Sequence, residues 1–391
     1  AEAANGGNGN GDDNPNGVDA GAVYLYRNVA GTWTPHSKLI APYGRAGDRF
    51  GQSVAIEGTR LIVGAPQVDG FPAAVSNSGA IYAYTFDGSN WVLQYQRSAP
   101  TPAVNQFFGA NLALMGDVLA VAATGQSGGA GAVYVYRDLS TYASPLSLAI
   151  PGSAAGDGAG TGLSVYDPAP GTANDESVAV GVPFRGSTQG TAYVYTGASF
   201  ATVQSFSNPV PSTFYFGYAV ALYNGRLAVG APTATAAPSG AVYVYTGASY
   251  ATMQTLSATG GPGQFGFNLL MDDTRLLIGA PASNTRAGLA YVYARSGSNF
   301  VQSDLIQPAD LATFDEFGTT LGLASGVYAV GTPLHDAAGT NVGAAYLYEE
   351  APVFTVAPTT LAVSETGPTS ASFSVSLNQA PSANVTVSLS F

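Results

Sequence analysis

Short apolar runs, some alternating with polar residues and some continuous, recur through most of this chain and are separated by glycine, asparagine, aspartate and proline. The stretch from Phe50 to Arg97 shows the order: FGQSVAIEG, TRLIVGAP, a variable loop, GAIYAYTFDG and NWVLQYQRS. Each segment is rich in β-branched or aromatic residues and bounded by turn formers, which predicts four strands per unit. The second and third segments are nearly continuous in apolar character, so both faces of each sheet are expected to be covered by neighbouring sheets. The third segment returns as GAVYLY at Gly21, GAIYAY at Gly79, GAVYVY at Gly131, GTAYVY at Gly190, GAVYVY at Gly240, GLAYVY at Gly288 and GAAYLY at Gly343, at spacings of 48 to 59 residues. A period of roughly 40 to 60 residues in an all-β chain predicts radial or linear repetition of a small sheet.

The punctuation is as regular as the strands. Gly64-Ala65-Pro66 recurs at Gly230-Ala231-Pro232 and Gly279-Ala280-Pro281, with variants Gly181-Val182-Pro183 and Gly331-Thr332-Pro333. The glycine permits a close backbone approach, and the proline ends the strand because it has no N–H for the ladder. Phe-Gly pairs open the units at Phe50-Gly51, Phe108-Gly109, Phe216-Gly217, Phe265-Gly266 and Phe317-Gly318. There the aromatic ring is expected to plug between blades while glycine enters a crowded centre. The third unit is read with Thr161-Gly162 at this place, and the second with Ala122-Ala123-Thr124 in place of Gly-Ala-Pro.

Through these motifs the chain resembles the FG-GAP repeat family, whose best-known members are the propeller heads of integrin α subunits. The resemblance covers about residues 18 to 350 and implies an all-β fold, a β-propeller of four-stranded blades with seven-fold geometry. Six full units follow Phe50, and the first 49 residues supply only the third and fourth strands of another. A six-bladed closure with an extra hairpin is the alternative. Residues 1–20 are then a polar loop of the incomplete blade and 21–350 the propeller. From Ala351 the tyrosine signature stops; TTLAVSE, SFSVSLNQAP and NVTVSLS resemble the opening of a Calx-β-like β-sandwich, truncated here at 351–391.

Charge narrows the partners. The formal net charge is −12, with Lys38 the single lysine and the arginines scattered. No basic stripe exists to neutralise phosphates, so nucleic acid is an unlikely partner, and anionic membrane surfaces are disfavoured for the same reason. No apolar run reaches the length of a membrane span. There is no cysteine, hence no disulfide, thiolate metal site or cysteine nucleophile. The opening AEAANGGNGNGDDNPNG is read as the inside of a polar loop in a larger multidomain chain.

Calcium is the first cofactor to weigh, because the resemblance implies DxDxDG loops with spaced oxygen ligands. The turns between first and second strands read EGTR, MGDV, YNGR, DDTR and ASGV, and none has that spacing. No cofactor is therefore expected, and the weak metal candidates are Asp12, Asp13, Asn14, Asn16 and Asp19, an oxygen-rich stretch whose first reading is a solvated loop. Asp48 and Asp315 both stand two residues before a Phe-Gly pair, where a carboxylate ordinarily caps backbone N–H groups. Asp310, Asp315 and Glu316 are the acidic group that could form a carboxylate pair for glycoside hydrolysis, against a solvated loop. His36 and His335 stand alone in sequence and form no metal or triad motif. The paired tyrosines, two apart, point to one sheet face and are expected to pack between blades with their hydroxyls on polar partners.

Recognition in such a scaffold resides in variable loops held by constant strands. The expected surface comprises the loops at residues 67–78, 125–130, 184–189, 233–239, 282–287 and 334–342, with 43–48 alongside. Its candidate contact residues are Asp48, Asp69, Phe71, Arg185, Arg286, His335 and Asp336. The expectation is a non-catalytic, extracellular or cell-surface binding or adhesion module for a protein or polysaccharide, of the kind found in large bacterial surface proteins. A polysaccharide lyase or hydrolase, and a structural spacer, are the alternatives.

Overall fold

The computed structural model describes residues 16–70, 75–142, 144–172, 175–210, 214–232, 240–258, 263–324, 326–336 and 343–349, and the backbone of 354–357 and 374–377. The chain is an all-β propeller of antiparallel meander sheets. A half blade comes first, β1 (Val23–Val29) with β2 (Thr32–Leu39). Blade one contains β3 (Ser53–Glu57), β4 (Arg60–Ala65), β5 (Ala80–Phe86) and β6 (Trp91–Ser98). Blade two contains β7 (Phe108–Met115), β8 (Val118–Ala123), β9 (Ala132–Tyr136) and β10 (Leu146–Ser147). Blade three contains β11 (Leu163–Tyr166), β12 (Ser177–Val182), β13 (Thr191–Thr196) and β14 (Thr202–Ser207). Blade four contains β15 (Val220–Tyr223), β16 (Arg226–Ala231), β17 (Ala241–Thr246) and β18 (Thr252–Leu256). Blade five contains β19 (Asn268–Met271), β20 (Arg275–Ala280), β21 (Leu289–Ser296) and β22 (Asn299–Ile306).

Blade six has three strands among the described residues, β23 (Thr320–Ala324), β24 (Val327–Thr332) and β25 (Ala344–Glu349), where the sequence predicts four. Beyond it, β26 (Phe354–Ala357) pairs with β27 (Ser374–Leu377). The remainder of the expected sandwich, and Asp12, Asp13, Asn14 and Phe71, lie outside the described residues.

The strands follow from local chemistry. Their β-branched and aromatic residues suit a pleated, covered surface, and tight turns set the register. Asn224 and Gly225, between β15 and β16, take φ of 44° and 69°, the mirror-image turn that matches strand twist.

The core is a series of layers between blades. In one layer Ile62, Ile81 and Ala83 of blade one meet Phe108, Leu119, Val121, Tyr134 and Tyr136 of blade two. In the next, Val133 and Val135 from the other face of β9 meet Val178, Val180, Tyr193 and Tyr195 of blade three. Each third strand thus turns its tyrosines to the preceding blade and its aliphatic residues to the following one. The Phe-Gly aromatics pack against the first of these tyrosines, edge-on for Phe265 on Tyr291 (5.0 Å) and Phe50 on Tyr82 (5.2 Å) and tilted for Phe216 on Tyr243 (5.7 Å) between ring centres.

Backbone also joins the blades. The leading glycines Gly79, Gly131, Gly190 and Gly288 form parallel bridges to Phe108, Ala159, Phe216 and Phe317 of the next blade. They have positive φ, and a Cβ on any of them would overlap the partner's backbone, so glycine is required twice over. This geometry corrects the third unit: the counterpart of Phe-Gly is Ala159-Gly160, not Thr161-Gly162. Gly160 has φ 92°, as do Gly51, Gly266 and Gly318. The adjoining blade departs in step, for Ala122 replaces the usual glycine and its methyl lies 2.7 Å from where a Gly160 Cβ would stand.

Candidate functional site

One end of the propeller carries both the loops from second to third strands and the entries into each first strand. A backbone hydrogen bond joins the two within a blade. Gln67 N–H donates to Asp48 O (3.3 Å), Gly125 to Gln106 (3.1 Å), Phe184 to Asp157 (3.3 Å), Ala282 to Gly263 (3.1 Å) and Leu334 to Asp315 (3.4 Å). Around each bond three side-chain positions converge. The first is two residues before the Phe-Gly place, the second four residues after the glycine near the end of the second strand, and the third is the first tyrosine of the third strand. Their occupants differ by blade.

In blade three Asp157, Arg185 and Tyr193 meet. Asp157 Oδ2 accepts Arg185 Nε (2.9 Å) and Nη2 (2.8 Å), together with the Ala154 N–H (3.0 Å). Arg185 Nη1 donates to Tyr193 Oη and to the Pro151 carbonyl (2.7 Å). In blade six Asp315, His335 and Tyr346 meet. Asp315 Oδ2 lies 2.7 Å from His335 Nδ1 and accepts the Ala312 N–H at 2.7 Å. His335 Nε2 is 3.3 Å from Tyr346 Oη, which donates to Asp310 Oδ2 at 2.8 Å. Burial first, then the Asp310 carboxylate, pushes the Tyr346 phenol up to about 12. Blade two replaces charge with amides: Gln106 donates to Gln126 and to Tyr134 Oη (3.3 Å). Blade one places Val68 opposite Asp48, and burial raises the pKa of this carboxyl, which accepts the Arg45 N–H (2.7 Å).

The same end is stitched from blade to blade. The carbonyls of Asp19, Asn77, Gly129, Thr188 and Arg286 accept the N–H groups of Arg49, Phe107, Gly158, Tyr215 and Glu316 at 2.7 to 3.1 Å. Three of the loops contain a short left-handed turn. Asn284, Thr285 and Arg286 have φ of 49°, 57° and 68°, and Ser187 and Thr188 have 58° and 76°; Ser127 and Gly128 form the third. Such backbone costs energy for residues with a Cβ and persists because the blades on either side fix it.

Toward the axis, blades one to four enclose a cleft of about 610 Å³. It is lined by Gln52, Ala110, Thr161 and Tyr218, each following the glycine of its first-strand entry, by Phe107, Asn111, Thr124 and Phe184, and by bare backbone at Gly125, Gly129, Gly156 and Gly158. None of the lining side chains is charged. Phe184 is exposed and packs edge-on against Tyr215 at 5.8 Å. Tyr218 packs at a tilt against Phe267, 4.9 Å between ring centres, and burial raises its phenol, which keeps the proton.

The sequence-predicted contact residues do not converge on this cleft. Arg185 and His335 turn into their own blades, and Asp48 caps its turn. Asp69 accepts the Asn77 N–H (3.1 Å), Arg286 pairs with Glu316, and Asp336 is exposed. Of the candidate acid group, Asp315 is buried against His335 and Glu316 is taken by Arg286. His36 contacts the Ser37 hydroxyl (3.0 Å) and the Phe86 ring. Asn16 donates to the Ala41 carbonyl (2.8 Å). Sequence reasoning missed Asp157 and the cleft residues Gln52, Phe107, Thr161 and Tyr218.

At the opposite end, the turns that the resemblance associates with calcium hold ion pairs between blades. Arg60 pairs with Asp117 of the next blade (3.1 Å), Arg226 with Asp273 (2.8 Å), and Asp167 accepts the Asp117 N–H (2.9 Å). Among the described residues no three acids or histidines group as a metal site.

Residues 33–84 and 212–245 match the FG-GAP repeat family. These are FG-GAP-like units. The first match runs from β2 into β5 and the second through β17, so both contain a Phe-Gly entry and a Gly-Ala-Pro end. No curated protein matches the chain. Among the described residues no helix is long and apolar enough to cross a membrane.

Proposed function

We propose that the propeller is a non-catalytic binding or adhesion module that presents the loop end to a protein or glycan partner outside the cell, within a larger surface or secreted chain. The FG-GAP-like units and the resemblance of the C-terminal stretch to Calx-β domains support that setting. The observation that carries the reading is how the reactive groups at this end are used. Asp157, Asp315 and His335 are buried and, with the half-buried Arg185, committed to holding loops, while the open cleft over blades one to four has uncharged walls. Recognition by loops on a rigid scaffold needs no activated group.

An enzyme reading has one constellation in its favour, the chain Asp315, His335, Tyr346. A general base must reach its substrate, but His335 is 4% exposed. A phenol held near 12 is also a poor proton donor or nucleophile at neutral pH.

The test incubates the protein with a panel of polysaccharides and matrix proteins and scores retention and product release together. Retention without products is expected. Ser187→Asp with Asn284→Asp adds charge at exposed positions whose left-handed backbone aspartate tolerates, and capture should fall at least about tenfold. Released sugar products, or capture indifferent to these changes, would overturn the proposal.

A further inference from the structure

We propose that the axial cleft of blades one to four binds an uncharged oligosaccharide, an inference that rests on the loop end being a binding face. The cleft volume, about 610 Å³, lies within the range of small-ligand sites, about 300 to 1,000 Å³. Its chemistry selects among ligand classes. A phosphate, sulfate, uronate or ammonium group entering it meets no counter-charge, because none of its lining side chains is ionised. Such a group would give up hydration there without gaining a partner.

A neutral sugar has two kinds of surface, and the cleft offers both. Its C–H faces suit the planes of Phe107, Phe184 and Tyr218, since aromatic rings give large contact area with little side-chain freedom to lose. Its hydroxyls suit the carboxamide of Gln52 and the hydroxyls of Thr124 and Tyr218, groups that both donate and accept. Gly156 has open space beside it and Gly129 only its backbone neighbour, which leaves room for a sugar ring to approach the main chain there, while Gly125 and Gly158 let the Phe107 and Phe184 rings lie close against the backbone. The platform is also fixed in advance: Phe107 sits at φ 56°, tied through its N–H to Asn77, and Phe184 leans on Tyr215. Preorganisation of this kind lowers the entropy lost on binding.

The experiment uses the full chain on an array of neutral glucose-, mannose-, galactose- and N-acetylglucosamine-based oligosaccharides, with uronate and sulfated oligosaccharides as the charged arm. The best neutral ligand is then titrated calorimetrically into wild type, Phe184→Ala, Gln52→Ala and Met253→Ala. Met253 is exposed on an outer strand away from the cleft. Neutral sugars should bind, about tenfold more weakly to Phe184→Ala and about threefold to tenfold more weakly to Gln52→Ala, with Met253→Ala unchanged. Binding confined to charged sugars, no sugar binding, or wild-type affinity in both cleft variants would overturn the inference. Matrix-protein capture that persists without sugar binding removes the cleft assignment alone; loss of all capture removes the binding-face reading with it.

Discussion

In blade three a buried aspartate meets an arginine, whereas in blade six the equivalent aspartate meets a histidine. Blade one keeps the aspartate and places Val68 opposite it, and blade five has Gly263 and Ser283 at these places. The backbone bond that joins the loop to the strand entry survives all of these exchanges. The loop path is therefore set by backbone and by the blades on either side, while the side chains adjust how firmly each loop is held. Arginine gives a permanent charge and a fork that reaches Asp157, Tyr193 and Pro151 together; histidine gives a shorter link with one contact on each side of its ring.

Removing the permanent charge should produce the largest effect. Arg185→Ala strands Asp157 in a buried site, and denaturant unfolding should register a loss of about 3 kcal/mol. His335→Ala should cost less, about 1 to 3 kcal/mol, because Asp315 keeps its Ala312 N–H and Tyr346 keeps Asp310. Equal losses in the two variants would erase the distinction between the blades. Arg185→Lys retains the charge and loses the fork; about 1 kcal/mol is expected from the same unfolding measurement.

Blade one supplies the smallest effect. Burial raises the Asp48 pKa, so just above the ordinary aspartate value of about 3.9 the folded chain holds a proton that the unfolded chain releases. Stability contributed by this group falls as pH rises through that interval and levels off above the raised value. The stability difference between Asp48→Asn, which still offers an acceptor to Arg45, and wild type should therefore move in favour of the variant as pH rises across it. A difference that moves in favour of wild type would mean that Asp48 is stabilised by a charge after all.

The sequence made the blades legible because strand composition, the leading glycine and the Gly-x-Pro ends each mark a backbone requirement. Asp48 and Asp315 were visible for the same reason, standing two residues before Phe-Gly. Asp157 was hidden because its unit has alanine where the others have phenylalanine, and the register slipped by two residues to Thr161-Gly162. Arg185 and His335 were found as loop residues but assigned outward. Their partners lie 28 and 20 residues away in sequence, and only the fold brings a strand entry under a loop. The cleft is legible only in part: Gly125, Gly129 and Phe184 lie in the loops expected to form the surface, but its first-strand residues do not. Gln52, Ala110, Thr161 and Tyr218 share a place in the repeat but no chemical type, so no motif announces them.

The bridge between each leading glycine and the next strand entry is made of main-chain atoms, and it is the same at the junctions from Gly79 to Phe108 and from Gly288 to Phe317. Such a junction does not read the identity of the side chains around it. Units that keep the glycine, the entry geometry and the apolar layer at the seam are therefore cassettes of one pattern: a gene could duplicate whole blades and retune each seam at a few positions, as at Ala122 and Gly160, leaving the loops free to diversify one unit at a time.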